Sequence, residues 1–495
     1  MNEPADPPHP YAPTGRAAPT HLDSQTKLVI GLLLVSSFVV ILNETIMSVA
    51  IPSIMDDLGV TETTGQWLST AFMLTMAVVI PVTGYLLQRF HTRTIFLTAM
   101  TLFAAGTFTA AVSAGFGMLV LGRVIQASGT AMMLPLLMTT LMTVVPPALR
   151  GKTMGNVSIV MAVAPAVGPT VSGAILSVMS WTGIFWLVLP IAIAALVLGA
   201  VKVPNVTTPR AVPLDVLSVV LSALAFGGLI YGLSTLGEAA HGEPLVPAPV
   251  PLGIGVVMLG LFVVRQIRLQ RDDRALLDLR VFSSRTFTVA LTMMLLMMMS
   301  LFGTIILLPI YLQNVLGLEP LAVGAMLLPG GLAMGLLGPV AGRIYDRFGP
   351  RVLVTPGAII VSAALWTMTT LTAETPGLMV LGVHVFLSLG LGLLFTPLFT
   401  TSLGSIEPHL YSHGSAIVGA MQQLAGAAGT ALFVVLLTIN RVAASHAGAD
   451  VVHATAAGTR AAFLCGAVIS LAVIVASFFI RAAPQPAEDE RVLSP

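Results

Sequence analysis

Residues Met76 to Arg93 read MAVVIPVTGYLLQRFHTR, and residues Met334 to Arg351 read MGLLGPVAGRIYDRFGPR. At an offset of 258 residues, Met76, Pro81, Val82, Gly84, Arg89, Phe90 and Arg93 meet Met334, Pro339, Val340, Gly342, Arg347, Phe348 and Arg351. Each copy is an apolar run that ends in a basic turn and leads into a second apolar run. Pro135-Leu136 and Pro397-Leu398 echo one another at an offset of 262. Chance likeness between apolar helices does not set a glycine and a basic turn at the same point twice, so the chain carries an internal duplication. Both copies join a helix pair at the same end, which makes the halves parallel repeats.

Composition sets the solvent in which those repeats fold. Of 495 residues, 56% are hydrophobic and only 9% charged, with a mean hydropathy of +0.96. That balance excludes a soluble globular chain and indicates an all-α polytopic membrane protein. A net charge of +1 offers no basic stripe to neutralise phosphates, so no nucleic-acid partner is expected. With about 20 apolar residues needed per crossing, spans fall at 27–52, 65–88, 94–114, 117–144, 152–178, 183–203, 213–236, 250–270, 283–312, 321–344, 352–372, 377–402, 412–439 and 460–481. Six per half leaves the pair in 213–270 inserted between an N-terminal bundle, 27–203, and a C-terminal bundle, 283–481. Residues 1–26 are rich in proline and poor in large apolar groups and read as a disordered tail, and 482–495 follow the last span as a second tail.

Lys27, Arg89, Arg93, Arg150, Lys152, Lys202, Arg210, the cluster from Arg265 to Arg285, Arg343, Arg347, Arg351 and Arg481 fall on one side of these spans. Asp56, Asp57, Glu62, Glu238, Glu243, Glu319 and Glu374 fall on the other, with Arg441 and Arg460 the basic residues among them. The basic side is predicted to be cytoplasmic, with both termini on it. Cys465 has no cysteine to pair with and sits in an apolar run. There is no metal-ligand cluster, nucleophile triad or nucleotide domain; Gly151-Lys152-Thr153 lacks the leading glycine of a phosphate loop, which would fall at Pro146. Neither a cofactor nor an enzymatic activity is expected.

Leu42-Asn43-Glu44-Thr45-Ile46 sets a carboxyl deep in the first span. An ionisable residue there is expensive, and marks a proton relay, a substrate contact or a paired structural group. Glu44 lies 17 residues past Lys27, about 25 Å along a helix, in the far half of the membrane. Arg123 lies at comparable depth in the fourth span and is able to pair with it. Burial favours the neutral acid and a guanidinium the carboxylate, so a change of access would move the proton. A permanent structural ion pair is the alternative. His384 lies one residue from the repeat image of Arg123 and is either a hydrogen-bonded packing residue or a substrate contact. Asp215, at the start of the seventh span, reads as a helix cap. Pro165 and Pro169 interrupt the fifth span's hydrogen bonding while Gly155, Gly168 and Gly173 admit close neighbours, which suits either a bending seam or simple small-residue packing. The run Met293, Met294, Met297, Met298 and Met299 offers adaptable contacts or lipid-facing filler. Trp67, Gln126, Gln313, Asn314, Gln422 and Gln423 are further pocket candidates.

The two loop stretches, Gly84 to Phe90 and Gly342 to Arg351, resemble the loop motif of the major facilitator superfamily. Leu121-Gly122-Arg123-Val124-Ile125-Gln126-Ala127-Ser128-Gly129 resembles its fourth-helix motif, and Ala164-Pro165-Ala166-Val167-Gly168-Pro169-Thr170-Val171-Ser172-Gly173 the fifth-helix motif of its antiporters. With Tyr311-Leu312-Gln313-Asn314-Val315-Leu316-Gly317 and fourteen spans, the chain is similar to the fourteen-helix drug:proton antiporters over nearly all of 27–481. Asn43 stands where that family usually has aspartate in the first span, and Gln88 where the first loop motif usually has aspartate; both resemble the lincomycin-resistance type of exporter. The resemblance implies the major facilitator fold, with Glu44 and Arg123 in proton coupling. It implies gating by Gly84, Arg89, Arg93, Pro165, Gly168, Pro169, Gly342, Asp346, Arg347 and Arg351. Asn43, Glu44, Gln126, His384, Met293 and Met297 are the expected substrate contacts. The expected activity is alternating-access export of a drug-like small molecule against protons by a monomer in the cell membrane. The alternative is a dedicated exporter of an endogenous metabolite or lipid.

Overall fold

A computed structural model describes residues 22–210, 212–238 and 246–480. The expectations for 1–21, Glu243 and 481–495 lie outside the described residues. The helices are α1 (Ser24–Leu58), α2 (Glu62–Arg89), α3 (Thr92–Ala111), α4 (Phe116–Val144), α5 (Arg150–Leu176), α6 (Thr182–Lys202), α7 (Val216–Glu238), α8 (Pro249–Leu269), α9 (Arg285–Asn314), α10 (Pro320–Phe348), α11 (Arg351–Met368), α12 (Gly377–Gly404), α13 (Tyr411–His446) and α14 (Val451–Ser477). All fourteen are long and apolar enough to cross a membrane. In lipid each backbone polar group must be satisfied within its own segment, which is why helices and nothing else fill the span. Several outrun their hydropathy limits, since polar ends beyond the hydrocarbon still propagate a helix. α1 starts at Ser24, capped by the Asp23 carboxylate, which accepts from Thr26 N at 3.4 Å, and is stopped at Gly59 with φ 61°. The glycine takes the left-handed conformation that a helix C-terminus favours.

The duplication is visible as packing. In the first half α1 packs on α4, α5 and α6, α2 on α4, and α3 on α4 and α6. In the second half α9 packs on α12, α13 and α14, α10 on α12, and α11 on α12 and α14. The halves then meet reciprocally: α10 lies along α5, and α2 along α13. The two α5–α10 backbones approach closely through glycines, since a Cβ on Gly155 would sit 2.5 Å from the Gly338 carbonyl oxygen and one on Gly342 would strike Gly151. On the α2–α13 side a Cβ on Gly84 would lie 3.1 Å from that of Ala416, and Thr139 meets Ser415 at 2.7 Å between α4 and α13.

α7 packs on α8 and also on α2 and α13, so the extra pair covers one of the two contact lines between the halves. Asp215 precedes α7 and accepts from Ser218 N at 3.0 Å and from Arg265 of α8 through two 2.7 Å bonds. That pairing holds its carboxyl well below the usual carboxylate range. The segment after α8 turns under the bundle, with Leu276, Leu277, Asp278 and Val281 buried. Gln266 Oε1 accepts from Leu276 N at 2.8 Å and Leu277 N at 3.3 Å and so fixes its entry.

Candidate functional site

α1 is pinned to α5 immediately beside Glu44. Thr45 Oγ1 donates to Leu42 O at 2.9 Å, Ser172 Oγ donates to Ile46 O at 2.9 Å, and a Cβ on Gly168 would come within 2.7 Å of Thr45 Cβ. With Thr45 fixed against α5, Glu44 is turned about 100° around the helix. Glu44 is half-buried, and Arg123 is the charged group that faces it. Asn43 is different. It is 0% exposed, and helical spacing puts it on the face of Ile46, Met47 and Ala50, which pack with Ala110, Leu119, Ile184 and Phe185 inside the first half. Of the two neighbouring polar residues, Glu44 alone is accessible.

The expected Glu44–Arg123 ion pair is absent among the described residues. Arg123 Nη1 instead donates to Gln126 Oε1 at 2.6 Å, while Gln126 Nε2 donates to Thr107 Oγ1 at 2.8 Å. The guanidinium carbon lies 4.0 Å from the centroid of the Phe72 ring, a cation–π contact. Gln126, one turn on from Arg123, and the ring engage part of the buried guanidinium, whose Nε is left without a hydrogen-bond partner. Sequence reading missed Thr107 and Phe72, since nothing local marks an α2 ring or an α3 hydroxyl as partners of an α4 arginine.

Four methionines of the run are neither lipid-facing nor accessible, Met293, Met294 and Met297 being 0% exposed and Met298 8%, while Met299 is half-buried. Spacings of one, three and four residues hold these side chains on the face of α9 that packs on α12, α13 and α14. Gln126 is likewise fully buried. His384 Nε2 meets Leu327 O at 3.2 Å, joining α12 to α10, and a Cβ on Gly330 would press on its ring at 2.5 Å. Its other ring nitrogen is buried without a partner.

At the basic end the two repeats of the loop motif do different work. Asp346 accepts at one oxygen from Gly151 N at 2.7 Å and at the other from Lys152 N at 2.8 Å, across the halves. These are orphan donors of the α5 N-terminus, where a carboxylate is favoured. Gln88, the repeat image of Asp346, reaches the α13 N-terminus. Its amide nitrogen donates to Ser412 Oγ at 3.1 Å and contacts His413 Nε2. Arg93 donates to Ala200 O of α6, and Arg351, its image, donates to Ile480 O at 2.9 Å beyond α14. Arg347 stacks beside Phe348, 5.1 Å from the ring centroid, and Arg89 is exposed at the end of α2. Pro165 is half-buried and Pro169 exposed along α5.

The profile described as Major Facilitator Superfamily matches residues 33–430. The chain is 38% identical over 464 residues to the uncharacterized MFS-type transporter YcnB of Bacillus subtilis, covering 94% of this chain and 97% of that one. To the lincomycin resistance protein LmrB of Listeria monocytogenes it is 38% identical over 460 residues, covering 92% and 97%. Among solved structures, the human organic anion transporter MFSD10 superposes with a TM-score of 0.67 at 15% identity, over 92% of this chain and 100% of that one. At that identity the superposition speaks for the fold alone.

Proposed function

Because the chain belongs to the Major Facilitator Superfamily, we propose that it is a proton-coupled antiporter exporting hydrophobic or amphipathic compounds across the cell membrane, with its basic end and both termini in the cytoplasm. The transporter reading follows from the family; proton coupling and a drug-like cargo are the steps added here. The observation that carries them is the half-buried Glu44, which faces Arg123 while Arg123 is held by Gln126 and Phe72. A carboxyl left without its counter-ion in a low-dielectric interior is favoured as the neutral acid. Release of Arg123 from Gln126 would favour the carboxylate. A conformational change that moves Arg123 between those partners therefore loads and unloads a proton. Likeness to proteins named for lincomycin resistance supports a small drug-like cargo.

The paired helix contacts at the basic end support an outward-facing state in which the bundles 27–203 and 283–481 are closed toward the cytoplasm. Toward the other end no close approach of α5 and α10 is made at Gly173 or Gly324, where a Cβ would meet nothing within 4 Å. The inserted pair, 213–270, then guards the α2–α13 line. Gly84, Gly342, Asp346, Gly168 and the motif arginines serve as gate parts, and Glu44 with His384 as the groups nearest to substrate. In proteoliposomes, Glu44→Gln is expected to fold and to lose export driven by a pH gradient, measured across a panel of antibiotics and cationic dyes. Undiminished uphill export by that variant would falsify the assignment.

A further inference from the structure

The contact at α13 differs from its symmetry mate in one chemical respect. α5 starts at Arg150 and α13 at Tyr411, so Ser412 and His413 occupy the places of Gly151 and Lys152. At α5 the partner is a carboxylate and the third residue a lysine. At α13 the partner is a neutral amide and the third residue a histidine, only 6% exposed. An amide nitrogen can only donate, so in this orientation His413 Nε2 must accept, which a neutral imidazole does and an imidazolium cannot. Its Nδ1 is buried beside the backbone of Leu276, on the segment after α8, without a well-formed hydrogen bond. An added proton would leave two donors facing each other, within the first turn of a helix whose N-terminus already disfavours a cation.

We propose that His413 is a proton-operated latch on the basic end, holding α13 to Gln88 of α2 when neutral and releasing it when protonated. The charges facing it do not offset that proton. Asp278, on the buried segment after α8, is the nearest acid, but its carboxylate is already engaged by Arg280, whose Nε lies 2.9 and 3.0 Å from its two oxygens. Arg280 and His409, on the turn before α13, are basic, and Arg150 lies 5.5 Å from the Tyr411 ring centroid. Gln88 contributes no charge from α2. Opening the seam hydrates the imidazolium, so acid favours the open state because that state binds the proton more tightly. Leu277 wedges against Gly84 in the same contact, 3.4 Å from where a Cβ would stand, so release of α13 also frees the segment after α8. With the basic end in the cytoplasm, a reading that rests on the function proposed above, protons delivered inward would hold the protein open to the cytoplasm. Proton influx would thereby limit itself as the cytoplasm acidifies.

The latch is tested without substrate, by spin-label distance measurements on the full chain in lipid nanodiscs. Labels at Thr94→Cys and Val352→Cys, exposed and one in each half at the basic end, are placed in a Cys465→Ser, Glu44→Gln background, which silences the proposed coupling site. Between pH 8 and 6 the ratio of long to short distances is expected to rise severalfold. One linked proton allows at most about tenfold per pH unit. His413→Gln should abolish the change. Gln88→Glu, which presents an acceptor to the imidazolium, should reverse its sign. A ratio that ignores pH in the Glu44→Gln protein, or still follows it after His413→Gln, overturns the proposal. Failure here leaves the Glu44 export assay untouched, and failure of that assay leaves these distances standing.

Discussion

The two contact lines that close the basic end are copies of one another with different chemistry. Along α5–α10, glycines bring backbones together and the Asp346 carboxylate binds two helix N–H groups directly. Along α2–α13, contact is through side chains: Ile80 lies 3.2 Å from where a Gly419 Cβ would stand, Gln423 Nε2 lies 3.5 Å from Met76 Sδ, and Gln88 reaches Ser412 and His413. The first line is also left bare by α7, which packs against the second. A charge-assisted bond to backbone is insensitive to side-chain protonation on the helix it caps, whereas an amide–imidazole contact is not. The duplication thus yields one line suited to fixed closure and one that titrates.

The largest test of that contrast is steric. Gly155→Val places branched carbon where a Cβ already lies 2.5 Å from the Gly338 oxygen. It should cost the closed state at the upper end of about 1–3 kcal/mol, read as dominance of the long distance in the spin-label assay. Asp346→Asn comes next. Removing a charged acceptor from two N–H donors should cost about 2 kcal/mol, with a corresponding fall in transport rate. Gln88→Ala should cost about 1 kcal/mol, as for a neutral hydrogen bond. Equal effects from Asp346→Asn and Gln88→Ala would erase the distinction between the lines. The smallest expected effect is none at all. The Asp215 carboxyl is depressed by Arg265, so its stabilisation is present above the unfolded carboxylate value of about 3.9 and is lost only as pH falls through the lower folded value. The α7–α8 clamp should therefore hold unchanged from pH 8 to 5, where the His413 contact does not. Protease protection of the loop at Arg210 measured across that range checks it.

Much of the fold is legible in the chain because the signals are local. Hydropathy marks each crossing, and the proline, glycine and basic turn repeated at 81–93 and 339–351 mark both the duplication and the end on which it turns. The site was legible only in part. Glu44 and Arg123 stand out, since charges inside apolar runs are rare, but their mutual state does not follow from depth alone. The methionines mislead because a composition suited to adaptable contact is equally suited to packing, and the neighbouring helices decide between them. His413 carries no signal of its own. The one hint is that Gln88 stands where its repeat image is Asp346.

What the sequence by itself determined is a duplicated, fourteen-span membrane protein with one basic end, because span length, periodicity and charge placement are properties of single segments. What only the tertiary structure decided is which polar groups meet. Asn43 and Glu44 are adjacent in sequence, yet one is sealed in the bundle and the other accessible, because about 100° of helix rotation separates them. Gln88 and His413 lie 325 residues apart and share a contact because two helices of opposite halves end side by side. Such pairings depend on how whole bundles dock, and no segment of the chain encodes that alone.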